Sequence, residues 1–456
     1  PGVEPKIRER LLVIGAGPDG LAMPDALKQE ANPYDHLDHK GGIGGNWYKV
    51  VFETTHIFSS KGTTAFADYP MPDDYPDFPS AEQMRTYLEA YARDRGIADD
   101  IEFNKTVEHA EPNPDDSWII TFEDGEVRTY KGLVVCNGHH WAKRLPEIPG
   151  TFTGEYIHSK EYHHPEQLAD KRVLVIGAGN SAHDVACEAA RVSRSCDLSL
   201  RSGYWFFPKT AFGRPLTDLP IWWLPIPFQR LVLRGIIWAT IGDYRRYGLK
   251  KPNHKIFDRH PTYGTDLLNY LRQGLVRPRA QIDRFDGNTV HFRDGTTGEY
   301  DMVVAATGFD YKFPFLPEGL IAVEGDVVQI YGGAFPDNVK NLYIIGASQP
   351  RGGFGRPLTP AAKLYARMIR MQDEIEPPLG AVLKWRRYKP PKTQFLDTES
   401  TRRQIWLSNR VLPLLKWQAE RMVRKGVAWE RWTPRQIPET AETEREIGKA
   451  KTQDAA

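Results

Sequence analysis

The chain carries one local pattern at two places. Residues 11–20 read LLVIGAGPDG and residues 173–182 read VLVIGAGNSA, each a short apolar run closed by glycines. Both continue into a stretch of helical composition, LAMPDALKQEA after the first and HDVACEAARV after the second. In the first copy Gly15 lets the turn close, Gly17 leaves room for a diphosphate against the backbone, and Gly20 brings helix against strand. The free N–H groups at the helix start then bind the anion. Gly177, Gly179 and the small Ala182 take the same places in the second copy, where Asn180 and Ser181 open the helix beside the anion. A strand, a tight turn and a helix in this order begin a doubly wound unit, so two copies predict an α/β fold with two Rossmann-like dinucleotide-binding domains.

The two copies differ where a dinucleotide site chooses its ribose. After the first, the strand PYDHLD ends in Asp38, 23 residues beyond Gly15. A carboxylate there accepts hydrogen bonds from a ribose diol and repels a 2'-phosphate, which suits FAD or NAD. The second copy is followed by DLSLRS, which the pattern reads as a strand ending in Arg201 and Ser202, with Arg201 24 residues beyond Gly177. A guanidinium there pairs with the 2'-phosphate of NADPH. Two residues of the first copy fit less well. Pro24 falls inside the expected helix, where proline costs about 3 kcal/mol, and Asp19 brings a carboxylate toward the diphosphate, an unfavourable neighbour unless it turns outward.

Composition narrows the rest. With 60 basic and 59 acidic residues among 456, the net charge is +1, and no overall field draws nucleic acid or anionic lipid. Three cysteines, Cys136, Cys187 and Cys196, form no C-x-x-C, which argues against a zinc ribbon, a disulfide scaffold or a dithiol redox pair. The pairs His139–His140 and His163–His164 lack the ligand pattern of a metal site and read as packing or solvated residues; no metal is expected. The greasy stretch 219–242 is broken by prolines, Arg230 and Arg234, short of the roughly 20 apolar residues of a membrane span. No charged and apolar leader precedes the first strand, so a cytoplasmic setting is expected.

Between the two copies stands FTGEYIHSKEY, residues 152–162, in the pattern F-x-G-x-x-x-H-x-x-x-Y. Here the chain resembles the class B flavoprotein monooxygenases, and among them the flavin-containing monooxygenases, with Phe152, Gly154, His158 and Tyr162 as the fingerprint. GGIGGNW at 41–47 resembles the family's flavin-side turn and implies Gly44, Gly45 and Trp47 beside FAD. VVCNGHH at 134–140 and DMVVAATGFDYKFPFL at 301–316 resemble the strands that carry the chain between domains, Thr307 and Gly308 making the turn back toward FAD. The resemblance implies FAD and NADPH as cofactors, and O2 with a small molecule as substrates. It also implies a flavin C4a-(hydro)peroxide that oxygenates soft nucleophiles such as sulfides, amines or indole. The related Baeyer–Villiger enzymes, acting on ketones, usually carry tryptophan where Tyr162 stands and form the nearest alternative. A non-catalytic nucleotide-sensing flavoprotein is a further one; a disulfide reductase would need the missing C-x-x-C.

His158 reads either as a hinge histidine bonded to linker backbone or as a chemical group. Animal members carry an asparagine just before SSK, tied to oxygenation; here Phe58 precedes Ser59, Ser60 and Lys61. In NLYIIGASQPRGGFGRPLTPAAKLYARMI, residues 341–369, Thr359 reads as an N-cap with Pro360 at the first helical position, a helix start aimed at the flavin pyrimidine. The expected FAD domain is split, about 1–155 and 296–375, around an NADPH domain at 156–295 that carries the aromatic run GYWFFPK. A helical extension follows at 376–456, with a basic face suited to solvent or a homodimer and a polar, frayed tail.

Overall fold

The computed structural model describes residues 7–433, so the polar tail lies outside the described residues. Ten strands form its two main sheets: β1 (Leu11–Ile14), β2 (Tyr34–Asp38), β3 (Ile101–Phe103), β4 (Gly132–Val135), β5 (Glu155–His158), β6 (Arg172–Ile176), β7 (Ser195–Ser199), β8 (Val276–Arg279), β9 (Met302–Ala305) and β10 (Leu342–Ile344). The first sheet runs β10-β4-β1-β2-β3 and the second β5-β9-β6-β7-β8, all pairs parallel. Every residue of β1, β4, β9 and β10 is buried. That is why these segments read as unbroken apolar runs rather than alternating ones, as strands covered on both faces must.

The two sheets are built alike. In each, the glycine turn follows the middle strand, and a small antiparallel sheet is inserted before the strand that pairs with the middle strand on its other side: Val107–Pro112, Trp118–Phe122 and Val127–Tyr130 before β4, Ile282–Asp286, Thr289–Phe292 and Thr297–Glu299 before β9. The chain leaves the first sheet after β4, builds the second, and returns to add β10 beside β4. The two crossing segments pair with each other, Ala142–Lys143 antiparallel to Phe309–Asp310, and Arg144 clasps Asp310 at 2.6 Å. Both glycine turns, Gly15–Gly17 and Gly177–Gly179, border one cavity.

Among the described residues, the α-helices longer than four residues are α1 (Pro18–Gln29), α2 (Ala81–Asp94), α3 (Asn180–Val192), α4 (Ile226–Thr240), α5 (Asp266–Gln273), α6 (Gly355–Gln372), α7 (Leu379–Trp385) and α8 (Thr398–Arg424). Helix α1 runs through Pro24 without ending. All of its residues from Gly20 to Leu27 are buried, so burial on every side, and not local propensity, holds it. Helix α2 starts with a reciprocal capping box between Ser80 and Gln83. Of the greasy stretch, α4 takes only 15 residues, and among the described residues no helix is long and apolar enough to cross a membrane. The aromatic run before it is mostly core, with Phe206 and Phe207 fully buried. Helix α8 packs on α6 through Ile405, Ala419 and Met422, leaving Trp406, Leu407 and Trp417 exposed.

Two readings need correction. Helix α6 begins at Gly355, not Pro360, because Gly353 and Gly355 come so close to the Thr63 and Ala65 carbonyls that a Cβ there would stand 2.6 and 1.8 Å from backbone. Thr359 is therefore an interior residue, and its hydroxyl accepts the Ala67 N–H at 3.1 Å instead of capping a helix. Strand β7 ends at Ser199, so Arg201 and Ser202 lie in the loop beyond it, where they are free of sheet pairing.

The glycine turns predict a contrast. A Cβ at Gly20 would stand 1.7 Å from the Gly15 carbonyl oxygen, whereas one at Gly179 meets nothing within 4 Å. Gly20→Ala should cost more than about 2 kcal/mol and Gly179→Ala less than about 0.5 kcal/mol. Thermal unfolding of the two variants checks this, and equal midpoints would refute it.

Candidate active site

The first turn is pinned from several sides. Gly15 has φ +110°, and a Cβ there would fall 2.4 Å from the Cys136 carbonyl oxygen at the end of β4. His36 on β2 reaches under the turn, its Nε2–H donating to the Gly15 carbonyl at 2.8 Å; burial keeps this ring neutral by pushing its pKa down. The buried Asp38 carboxylate accepts the Ala16 N–H at 2.6 Å and the Lys40 N–H at 2.7 Å. Each oxygen keeps a lone pair, and the residue lines the cavity described below. Gly44 (φ +133°) and Gly45 (φ +60°) fold over the turn, the Gly44 N–H donating to Ala16 O at 3.0 Å. Lys40 holds this cover through the Gly45 carbonyl at 2.8 Å, and Trp47 stands half-buried in the wall beyond.

The second turn repeats the packing: Gly177 has φ +132°, and a Cβ would lie 2.2 Å from the Ala306 carbonyl oxygen at the end of β9. Gly179 caps α3 with open space before it, and Ser181 faces the cavity. The Asn180 side chain is engaged elsewhere, its Oδ1 accepting the Tyr263 N–H at 2.8 Å. Thr262 donates to the Ala178 carbonyl beside it. Arg201 is exposed in the cavity wall. Next to it Arg259 donates to the Ser202 hydroxyl at 3.1 Å. Two guanidiniums thus stand at this turn and a buried carboxylate at the other.

The fingerprint residues build the joint between the halves. The Phe152 ring packs on Phe285 at 5.5 Å, and Gly154 has no room for a Cβ, which would come within 2.6 Å of Asp301 O. His158 is buried; its Nε2–H donates to the Gly308 carbonyl at 3.0 Å while Nδ1 accepts the Lys160 N–H at 3.1 Å. Both ring nitrogens are engaged by backbone, and burial lowers its pKa, so it ties the end of β5 to the returning crossing segment at Gly308. Tyr162 donates to Glu188 of α3, which also accepts from Thr54, and packs on Phe52 at 5.5 Å. Gly308 turns at φ +88°, and Thr307 donates to the Arg144 carbonyl.

Both glycine turns open into one cavity of about 2430 Å³. Its middle holds a cluster that sequence reading left aside. The Gln349 amide nitrogen stands 2.7 Å from His139 Nε2 and 2.8 Å from His140 Nε2. An amide nitrogen only donates, so both imidazoles accept there and carry their proton on Nδ1. Burial holds His139 down at about 4, and burial together with His139 holds His140 well below the usual range. Beside them Phe58 stacks on Tyr263 at 5.3 Å and meets the His260 ring edge-on at 5.3 Å. The adjacent histidines were visible in the sequence, but Gln349 and His260 come from segments about 120 to 210 residues away and carry no local signal.

These residues fit two dinucleotides. Each turn has space that a side chain would fill, one has a carboxylate for an unmodified ribose, and the other has cations for a phosphate. A buried hydroxyl, Tyr311 Oη, lines the cavity near the first turn without a partner among the described residues. Thr359 does not line the cavity, although Gly353, Phe354 and Pro357 around the start of α6 do.

The Flavin-binding monooxygenase-like family matches residues 8–372. Flavin-containing monooxygenase 5 of Oryctolagus cuniculus is 33% identical over 395 residues, covering 79% of this chain and 72% of the relative. Dimethylaniline monooxygenase [N-oxide-forming] 2 of Cavia porcellus is 30% identical over 401 residues, covering 79% and 72%. Among solved structures, cyclohexanone monooxygenase from Rhodococcus sp. Phi1 bound to NADP+ superposes with a TM-score of 0.67 at 18% identity, over 88% of this chain and 97% of that one. The flavin-containing monooxygenase from Stenotrophomonas maltophilia gives 0.59 at 21% identity, over 80% and 98%. With its two glycine turns on one cavity, the chain belongs to the Flavin-binding monooxygenase-like family and is a flavin monooxygenase.

Proposed function

We propose that the turn at Gly15–Gly20 holds FAD, the turn at Gly177–Ser181 holds NADPH, and the enzyme oxygenates soft nucleophiles, sulfides and amines first. The observation that carries this reading is the opposite chemistry of the two turns on one cavity: buried Asp38 at one, and Arg201 with Arg259 at the other. In this reading residues 1–155 and 296–375 make the FAD domain and 156–295 the NADPH domain.

Bound FAD, reduced by NADPH, supplies the electrons that activate dioxygen. The chain supplies position and dryness. Asp38 receives the ribose diol, and Gly17 and Gly45 leave the diphosphate a path along the backbone. Phe58, backed by the buried Tyr263, and the neutral His139 and His140 line the cavity together, an environment that shelters reactive oxygen species from stray proton transfer. Phe58 cannot act as the amide of the animal members does, so substrate preference rests on the aromatic wall of this chain.

Arg201→Ala and Arg259→Ala should each weaken NADPH about tenfold or more while leaving NADH nearly unchanged, since each removes a charge-assisted bond to the 2'-phosphate. Equal losses for both nucleotides in a binding titration would refute the assignment. For the reaction, the protein is reduced anaerobically with NADPH and mixed with oxygenated buffer without substrate. A delay before the oxidised flavin spectrum returns is expected, and a panel of sulfides, tertiary amines, indole and cyclic ketones then identifies the product class. Immediate return with stoichiometric hydrogen peroxide would contradict a monooxygenase that waits for its substrate.

A further inference from the structure

Asp19 remains unexplained by the function above. It is the second residue of α1, where a phosphate of a bound dinucleotide meets the helix N–H groups. Its side chain does not turn outward. It lies half-buried in the cavity wall, so close to Gly346 that a Cβ there would stand 2.5 Å from Asp19 Oδ2. Gly346 itself has φ +76°, so the turn after β10 is built without a side chain where the carboxyl needs room.

The groups that face Asp19 are uncharged. Its field reaches the Cys136 thiol at the end of β4, the Tyr311 hydroxyl on the returning crossing segment and the Tyr365 hydroxyl on α6, and burial raises all three above their ordinary range. From the Gly346 side comes His139, which bonds to the Gly346 carbonyl and is held neutral. Among the described residues no cation stands against the carboxyl; only its own backbone N–H favours ionisation, and burial outweighs it, raising the pKa to about 6. Tyr311 Oη, buried in the same wall, has no hydrogen-bond partner among the described residues. A carboxylate and a dianionic diphosphate side by side without a counter-cation repel each other. An un-ionised carboxyl removes the conflict and adds a donor.

We propose that Asp19 binds FAD as a carboxylic acid, donating its O–H to an oxygen of the diphosphate bridge, with Tyr311 Oη as a second donor beside it. The inference rests on the assignment of FAD to the first turn. It makes cofactor binding take up one proton. Affinity is full while Asp19 is already protonated in the free protein and declines as pH rises above its free-state pKa, at about tenfold per pH unit. The diphosphate, adenine and isoalloxazine do not themselves titrate in this range.

The test is the FAD dissociation constant of the deflavinated full chain, followed by flavin fluorescence between about pH 6 and 8.5, for wild type, Asp19→Asn and Gly17→Ala. The amide of Asp19→Asn donates at every pH. Wild type should lose about tenfold in affinity per pH unit across the upper part of the range, while Asp19→Asn stays flat and binds more tightly than wild type at pH 8.5. A flat wild type, or an Asp19→Asn variant with the wild-type slope, overturns the role of Asp19. Gly17→Ala puts a methyl on the diphosphate path and should bind FAD weakly at every pH. If it binds as wild type does, the assignment of FAD to this turn fails instead.

Discussion

No side chain can stand at Gly15 or Gly177. Each sits at positive φ with the carbonyl oxygen of the neighbouring strand end in the place of its Cβ, Cys136 for the first and Ala306 for the second. The same carbonyls mark where β4 and β9 end and the two crossing segments start. The contact that shapes each nucleotide turn therefore also aims each crossing segment, and the segments meet as the ribbon of Ala142–Lys143 with Phe309–Asp310. His158 bonds across that meeting point to Gly308. Nucleotide turns and domain crossing are one construction, which is why the fingerprint residues Phe152, Gly154, His158 and Tyr162 lie at the joint.

Charge is distributed along the cavity to match. In the proposed reading Asp38 serves one ribose and Arg201 with Arg259 the other, and His139, His140 and Phe58 also line the cavity that holds both. His139 and His140 both accept from Gln349, and desolvation lowers the pKa of each ring. A neutral, aromatic middle between two polar anchors suits a reaction in which a flavin must meet oxygen away from water. Asp19 looks like an exception to this scheme, and as a neutral donor it conforms to it.

Much of this was legible in the chain. Strand, turn and helix follow one another within a dozen residues, and a local pattern of that kind survives in sequence because neighbours in the chain are neighbours in space. The positions of Asp38 at the end of β2 and of Arg201 on the cavity wall followed for the same reason, each at a fixed distance from its glycines. Thr359 was misread because a Thr-Pro pair is only a local preference for a helix start. Close approach of Gly353 and Gly355 to residues 63–65 overrides it and starts α6 a full turn earlier. Arg259, Gln349 and His260 could not be found at all. Each reaches the site from a remote segment, and only the packed fold brings them beside Ser202, His139 and Phe58. Pro24 was rightly placed inside a helix, and the cost it carries is absorbed by burial that no local pattern records.

The central claim is that the two turns hold different nucleotides, and a crystal structure grown with FAD and NADP+ tests it most directly. The account predicts the FAD diphosphate against Gly15, Gly17 and Asp19 with its adenosine ribose on Asp38, and the 2'-phosphate of NADP+ between Arg201 and Arg259. NADP+ seated on the first turn, or a 2'-phosphate distant from both arginines, would contradict it.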